Sequence, residues 1–195
     1  MPGLKTRVKK CESLTTWKTT SVIVLVRLGI DDDRDTTFDC GDDDLNEFFF
    51  KDSRLACSEL VSVTYAMIES GKTIAFFAVS NDAVKRQLLT GSAFKRHARR
   101  VAPSKRYPTL PAVKIGRLGV DRESHGNGVG TGLLSFIKDW FTNGNKTGCR
   151  FIIVDAYNNP KAINFYLKNG FSFSLSSDES DKTRLMFFDL MTIKP

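Results

Sequence analysis

The sequence lacks the side chains that most metal centres and disulfide scaffolds require. Its two histidines are His97 and His125. Its four cysteines are widely spaced and include no C-x-x-C pair: Cys11, Cys40, Cys57 and Cys149. Two histidines cannot form a multi-histidine centre, and scattered cysteines fit neither a zinc site nor a disulfide framework. We therefore expect no metal cofactor, and we expect reduced thiols, as in cytoplasmic proteins.

The sequence also lacks a long apolar run. A membrane-spanning helix needs about 18 or more consecutive apolar residues, whereas the best candidate, residues 21–30, is shorter and contains Arg27. Its apolar core is too short for a signal peptide, and no small-residue cleavage site follows it. We interpret residues 22–28 as a buried strand. The prediction is a cytoplasmic protein that does not associate with membranes.

Acidic residues are missing from residues 93–107, although the chain carries 22 of them in total. The basic residues of this segment are Lys95, Arg96, Arg99, Arg100, Lys105 and Arg106. Together with a formal net charge of +7, the segment favours a polyanionic partner, either a nucleic acid or a phosphate-rich cofactor. A solvated surface loop that serves solubility is the alternative explanation.

The order of apolar patterns predicts an α/β chain with a mixed sheet. The pattern is strand, helix, hairpin, basic loop, strand, glycine turn, helix, strand, helix and two strands. Residues 84–100 are predicted to be partly helical, and the three prolines of residues 101–111 predict a loop. We expect a flexible N-terminal arm over residues 1–20 and a single domain over residues 21–195.

Residues 125–134, HGNGVGTGLL, place four glycines ahead of an apolar helical pattern. A bare backbone that leads into a helix N-terminus is suited to binding phosphate through its N–H groups. The glycines stand at positions 126, 128, 130 and 132, so the dinucleotide spacing G-x-G-x-x-G is not met. A Walker loop is excluded because neither Lys-Ser nor Lys-Thr follows the glycines.

The spacing resembles Q/R-x-x-G-x-G/A, the acetyl-CoA pyrophosphate turn of the GNAT superfamily of N-acetyltransferases, with His125 in place of the first Gln or Arg. Residues 159–171 resemble a second motif of that family, N-x-x-A-x-x-F-Y-x-K-x-G-F. Every fixed position of the second motif is matched: Asn159, Ala162, Phe165, Tyr166, Lys168, Gly170 and Phe171. The two motifs and the strand between them cover about residues 113–172.

This resemblance implies a GNAT fold, in which a mixed, mostly antiparallel sheet is flanked by helices and opens between its fourth and fifth strands. It implies direct transfer of an acetyl group from acetyl-CoA to a primary amine, with Tyr166 as the general acid. The implied cofactor-binding residues are Leu118, Gly119, Val120, His125, Gly126, Asn127, Gly128, Val129, Gly130, Thr131 and Asn159. Asn159 suits a helix cap equally well, and His125 suits an exposed turn better than a catalytic role.

The strand at residues 112–120 contains no acid where many relatives carry a glutamate base. A lysine amine, with a pKa of about 10.4, needs such a base more than an α-amino group, with a pKa of about 7.7–8.0. The pattern therefore favours an acceptor amine of low pKa. Asp121, Glu123 or Asp155 acting through water is the alternative.

Residues 38–49 resemble F-D-C-G-x-x-x-L-N-x-(F/W)-(L/F), which is typical of the toxin–antitoxin branch of the family. Phe38, Asp39, Cys40, Gly41, Leu45, Asn46 and Phe48 match this pattern. The branch acetylates the amino acid on charged tRNA, so the resemblance implies tRNA and an antitoxin as partners, with Lys95, Arg96, Arg99 and Arg100 as tRNA contacts. We also consider a homodimer. The alternatives are an acetyltransferase for a small amine or a protein, and an acyl-CoA-binding module without activity.

Overall fold

The computed structural model of the protein describes residues 22–85, 109–145, 147–174 and 177–193. The predicted N-terminal arm lies outside the described residues, as do the candidate tRNA contacts Lys95, Arg96, Arg99 and Arg100. Within the described ranges, no helix is both long enough and apolar enough to cross a membrane.

Seven strands of the described residues form one mixed sheet in the order β1-β2-β3-β4-β5-β7-β6. Their bounds are β1 Ile23–Leu28, β2 Val63–Glu69, β3 Lys72–Lys85, β4 Thr109–Val120, β5 Phe151–Tyr157, β6 Ser172–Phe173 and β7 Thr183–Asp189. Strands β4 and β5 are parallel, whereas β1 with β2, β5 with β7 and β6 with β7 are antiparallel. The predicted mixed α/β sheet is thereby confirmed.

The helices follow the predicted order. They are α1 Asp43–Glu47, a π-helical turn Phe48–Asp52, α2 Ser53–Ser58, a 3-10 turn Arg122–Ser124, α3 Val129–Thr142, α4 Pro160–Lys168 and a 3-10 turn Leu190–Thr192. Helix α1 begins after Asp42, whose Oδ1 accepts a hydrogen bond from the N–H of Leu45 at 3.0 Å. The capping carboxylate and the two acids of the first turn complement the positive end of the helix dipole.

The described residues divide into two compact units. Among the described residues, the first comprises those up to Ala78 together with Arg117–Gly130, and the second comprises the rest. The first unit is built on three buried phenylalanines: the ring centroids of Phe38 and Phe49 are 4.8 Å apart, and those of Phe49 and Phe76 are 5.0 Å apart. In the second unit, Leu133, Leu134 and Ile137 form the fully buried face of α3 that the sequence predicts.

A two-residue turn joins β2 to β3 at the predicted hairpin position. Ser70 has φ +50° and Gly71 has φ +84°. Two positive φ angles give the turn the right-handed twist that the flanking strands need.

Two local predictions differ from the structure where they can be compared. Val84 and Lys85 continue β3, while the rest of the segment predicted to be partly helical, residues 86–100, lies outside the described residues. Residues 109–111 begin β4, although the prolines predicted a loop there. The reason is packing within the second unit. Val84 is buried in a cluster with Ala112, against which Leu110 packs, so tertiary contacts outweigh the local proline signal.

Candidate active site

The parallel pairing of β4 with β5 is short. It joins Ala112–Ile115 to Phe151–Val154. Strand β4 extends to Val120 and β5 to Tyr157. The candidates Leu118, Gly119 and Val120 lie on the part of β4 beyond that pairing.

The glycine loop contains two kinds of glycine. Gly126 has φ +77° and Gly128 has φ +80°, a backbone conformation that residues with a Cβ rarely adopt. A Cβ added to Gly126 would have no atom within 4 Å, so the backbone conformation, and not space, demands glycine there. Gly130 lies inside the first turn of α3, ahead of Thr131. The N–H groups at the start of α3 are therefore in the arrangement that binds anions.

His125 closes the turn that leads into the glycines. Its Nε2 lies 2.7 Å from the carbonyl oxygen of Val120 and donates a hydrogen bond in the matching tautomer. Its main-chain N–H donates to the carbonyl oxygen of Arg122 at 3.1 Å. The ring is thus engaged with the backbone of its own turn.

Gly119 is buried at a close contact between side chains of the first unit. A Cβ at this position would lie 2.6 Å from Cε1 of Phe76 and 3.4 Å from the Cβ of Cys40. A methyl group cannot fit at 2.6 Å from a fully buried ring. Packing therefore requires glycine at this position on β4, whichever molecule the backbone contacts.

Tyr166 lies on α4 in the second unit. Its ring contacts those of Phe165 and Phe171, with centroids 5.1 and 5.3 Å away. Burial raises the pKa of Tyr166 to about 12, because a phenolate loses its hydration in such surroundings. The hydroxyl is therefore fully protonated at neutral pH and able to donate a proton or a hydrogen bond.

Helix α4 has the ends that the sequence predicts. Oδ1 of Asn159 accepts a hydrogen bond from the N–H of Ala162 at 2.9 Å, Pro160 occupies the first helical position, and Gly170 has φ +78°. The side chain of Asn159 thus caps the helix.

A polar link joins α3 to the end of α4 within the second unit. Nδ2 of Asn169 lies 3.5 Å from Oγ1 of Thr131, and Nζ of Lys138 donates to the carbonyl oxygen of Asn169. Nζ of Lys138 also lies 4.1 Å from the ring centroid of Phe188, and burial lowers the pKa of this lysine. No pattern in the sequence indicates the link, because it joins positions outside the fixed residues of both motifs.

The three acids considered as bases all have partners. Oδ2 of Asp121 accepts a hydrogen bond from the N–H of Asp39 at 3.1 Å. Glu123 lies 3.8 Å from Nζ of Lys72 on an exposed surface. Asp155 forms an ion pair with Lys114, in which both side chains are partly exposed.

Comparison with known proteins agrees with this geometry. The family described as "Acetyltransferase (GNAT) domain" matches residues 69–173, just over half of the chain. A comparison with curated proteins found no match.

Solved structures show the same fold at low sequence identity. AtaT complexed with acetyl-methionyl-tRNAfMet is 22% identical, with a TM-score of 0.73 over 88% of this chain and 96% of that chain. A tyrosine-to-phenylalanine variant of KacT is also 22% identical, with a TM-score of 0.72 over the same shares of the two chains. AtaTR bound with AcCoA is 22% identical, with a TM-score of 0.68 over 88% of this chain and 95% of that chain. The chain belongs to the GNAT acetyltransferase family and is an N-acetyltransferase that uses acetyl-CoA as its acetyl donor.

Proposed function

We propose that the protein acetylates the amino group of an aminoacyl-tRNA and acts as the toxin of a cytoplasmic toxin–antitoxin pair. One observation carries the proposal: the fold is shared over 88% of this chain with AtaT, which has been solved with acetyl-methionyl-tRNAfMet. AtaT has also been solved bound to the C-terminus of the antitoxin AtaR. Residues 21–195 form the acetyltransferase domain in this proposal, and a homodimer is the proposed assembly.

The charge and chemistry of the chain support this acceptor. The basic residues Lys95, Arg96, Arg99 and Arg100 suit a phosphate backbone. Strand β4 contains no carboxylate, and an α-amino group next to an ester is neutral more often at pH 7 than a lysine amine. Such an amine can attack without a dedicated protein base.

The proposed acetyl-CoA contacts follow the two parts of the glycine motif. The backbone of Leu118–Val120 accompanies the pantetheine arm, and one of its N–H groups polarises the thioester carbonyl. The N–H groups of residues 126–131 bind the pyrophosphate. Asn159 supports the site mainly through its helix cap.

The transfer forms one bond and breaks one bond. The amine nitrogen attacks the thioester carbonyl, the C–S bond breaks, and the proton lost by the amine passes to water. Tyr166 donates its phenolic hydrogen to the departing sulfur. Since the pKa of Tyr166 is about 12 and that of a thiol is about 8.5, the phenol stabilises the thiolate chiefly by a hydrogen bond. The proton transfers to the extent that desolvation raises the pKa of the thiol as well, and the tyrosinate is then reprotonated from water.

Tyr166→Phe tests this role. The variant removes one hydroxyl, so turnover should fall at least about tenfold, whereas the Kd for acetyl-CoA should remain that of the unmodified protein. A discontinuous assay of acetyl transfer measures the turnover, and isothermal titration calorimetry measures the Kd for acetyl-CoA. An unchanged turnover removes Tyr166 from the mechanism.

Incubation with labelled acetyl-CoA tests the acceptor. We expect the label in total charged tRNA, released by mild base as an N-acetylated amino acid. Tubes with uncharged tRNA, a polyamine and a lysine peptide serve as controls. Label in the polyamine or the peptide alone overturns the toxin proposal but leaves the acetyltransferase assignment in place.

A further inference from the structure

The F-D-C-G segment, residues 38–46, has no part in the transfer chemistry described above. It lies in the first compact unit, as does the turn formed by residues 120–125 that leads into the glycine loop. Asp39 contacts the turn directly, and Asn46 supports Asp39 and Cys40.

Asp39 contacts the turn through its main chain and its side chain. Its N–H donates to Oδ2 of Asp121 at 3.1 Å, and its carbonyl oxygen accepts from the N–H of Arg122 at 2.8 Å. Its carboxylate lies 3.2 Å from Nη1 of Arg122. The other carboxylate oxygen accepts from the N–H of Gly41 and from Nδ2 of Asn46, both at 2.8 Å. The hydrogen bond from Asn46 is the largest cause of the lowered pKa of Asp39.

The carboxylate of Asp121 bonds both to the F-D-C-G segment and to the turn itself. While Oδ2 accepts from Asp39, Oδ1 accepts from the N–H of Glu123 at 3.0 Å and so caps the 3-10 turn. The N–H of Asp121 also donates to the carbonyl oxygen of Ile74 on β3 at 3.0 Å. Hydrogen bonds to the F-D-C-G segment and to β3 therefore both fix the start of the turn.

Gly41 and Cys40 pack closely against Arg122 and Gly119, respectively. Gly41 has φ +81°, and a Cβ there would lie 2.7 Å from Nε of Arg122, so the arginine side chain passes over bare backbone. Cys40 is buried beside Gly119. Oδ1 of Asn46 accepts from the N–H of Cys40 at 3.0 Å and from its Sγ at 3.1 Å.

We propose that Asp39 and Asn46 are positioning residues that fix the 120–125 turn and thereby the start of the acetyl-CoA loop. The turn ends at His125, which bonds back to Arg122 and Val120, and the next residue is Gly126. A shift of the turn therefore displaces the first N–H groups of the loop. The inference rests on the proposed binding of pyrophosphate at residues 126–131.

The test measures the Kd for acetyl-CoA and the kinetic constants of the full chain carrying Asp39→Ala, Asp39→Asn, Asn46→Ala or Arg122→Gln. Asp39→Ala removes three side-chain contacts, so we expect the Kd and the KM for acetyl-CoA to rise about tenfold, with kcat at saturating acetyl-CoA and the KM for the acceptor preserved. Asp39→Asn keeps an oxygen for Gly41 and Asn46 and should restore most of the affinity. Arg122→Gln removes only an exposed ion pair and should cost about threefold.

Lys51→Gln is the matched control. It removes another exposed ion pair, Lys51 with Glu47 at 3.1 Å, from the helical segment that follows Asn46, and it should leave the Kd unchanged. All measurements are made well below the thermal midpoint of each variant. A lowered midpoint with an unchanged Kd overturns the proposal. If Asp39→Ala does not fold, Asn46→Ala and Arg122→Gln decide the matter by the same Kd comparison, since a raised Kd supports the proposal and an unchanged Kd overturns it.

A variant inside the loop separates this inference from the proposed function. Gly128→Val forces a β-branched residue into a positive φ and should weaken acetyl-CoA binding directly. If Gly128→Val weakens binding and the Asp39 and Asn46 variants do not, the positioning role is wrong and the loop assignment stands. If none of them weakens binding, the loop assignment fails and the positioning role fails with it.

Discussion

The burial of Tyr166 links the ionisation of its phenol to the stability of the folded protein. Since the pKa of Tyr166 is raised to about 12 from an ordinary value of about 10, the folded state favours the neutral phenol. The stabilisation is complete below about pH 10 and is lost as the pH rises towards about 12.

We therefore expect the difference in the free energy of unfolding between the unmodified protein and Tyr166→Phe to depend on alkaline pH. The unmodified protein should lose stability more steeply than the variant above about pH 10, because phenylalanine has no proton to release. Urea denaturation at a series of pH values measures the difference. Parallel curves for the two proteins would show that Tyr166 ionises as freely in the folded state as in the unfolded state.

Gly119→Ala should destabilise the protein. Its Cβ would lie 2.6 Å from a ring atom of Phe76, and overpacking of this kind costs about 1–3 kcal/mol. Gly126→Ala meets no atom and should cost about 1–2 kcal/mol through its φ of +77° alone. Urea denaturation of both variants checks the two costs, and a Gly119→Ala variant of unchanged stability would mean that Phe76 moves aside freely.

The sequence pattern indicates which glycines adopt a positive φ, but it does not reveal that packing requires glycine at position 119. Gly126 and Gly128 have the positive φ angles that a glycine-rich turn implies. Gly119 is small because a phenylalanine from β3 lies against it. A contact between distant parts of the chain leaves no mark in the residues around Gly119, so sequence reasoning assigned the glycine to the cofactor alone.

The ends of helix α4 follow from its local sequence, whereas the polar link beside it does not. The ends of α4 were predicted from Asn159, Pro160 and Gly170 because a helix satisfies its terminal groups with its own neighbouring residues. The link to α3 through Lys138 and Asn169 was not predicted, since it depends on how two helices lie together. The same reason explains the missed start of β4 at Thr109.

Lys138→Met should lower the free energy of unfolding by about 1–2 kcal/mol. Methionine keeps the apolar contact with Phe188, but it loses the charged hydrogen bond to the carbonyl oxygen of Asn169 at the end of α4. Chemical denaturation measures the loss. Lys168→Met is the control, because it removes an exposed charge in the last turn of α4. An equal loss of stability in both variants would show that Lys138 acts only through its charge on the dipole of α4.

The fold of the whole molecule was predictable because two motifs occur at their usual separation with a strand between them. Periodicity alone gives strands and helices but not their order in the sheet. The resemblance to the family implied a mixed sheet, but the parallel pairing of Ala112–Ile115 with Phe151–Val154 was not predicted. The acceptor amine could not be derived from the two motifs. They describe the binding of acetyl-CoA, whereas the acceptor is recognised by the shape and charge of another part of the surface.

A net charge of +7 gives a prediction for the whole molecule. If Lys95, Arg96, Arg99 and Arg100 neutralise four phosphates, the KM for aminoacyl-tRNA should rise on the order of 50-fold between about 50 and about 200 mM salt. Alanine at all four positions should flatten this dependence. The KM for acetyl-CoA of the same variant is the internal control, and a salt dependence that survives the four substitutions would place the tRNA contacts elsewhere.

The position of Cys40 has a consequence for redox chemistry. Oxidants and alkylating agents react with the thiolate, and burial raises the pKa of the Cys40 thiol. Its sulfur is also occupied by the hydrogen bond to Asn46. Cys40 can therefore be modified only after the F-D-C-G segment has opened. Cys40 should thus withstand mild oxidative stress in the folded state, and its modification under harsher oxidation should follow the rate of that opening.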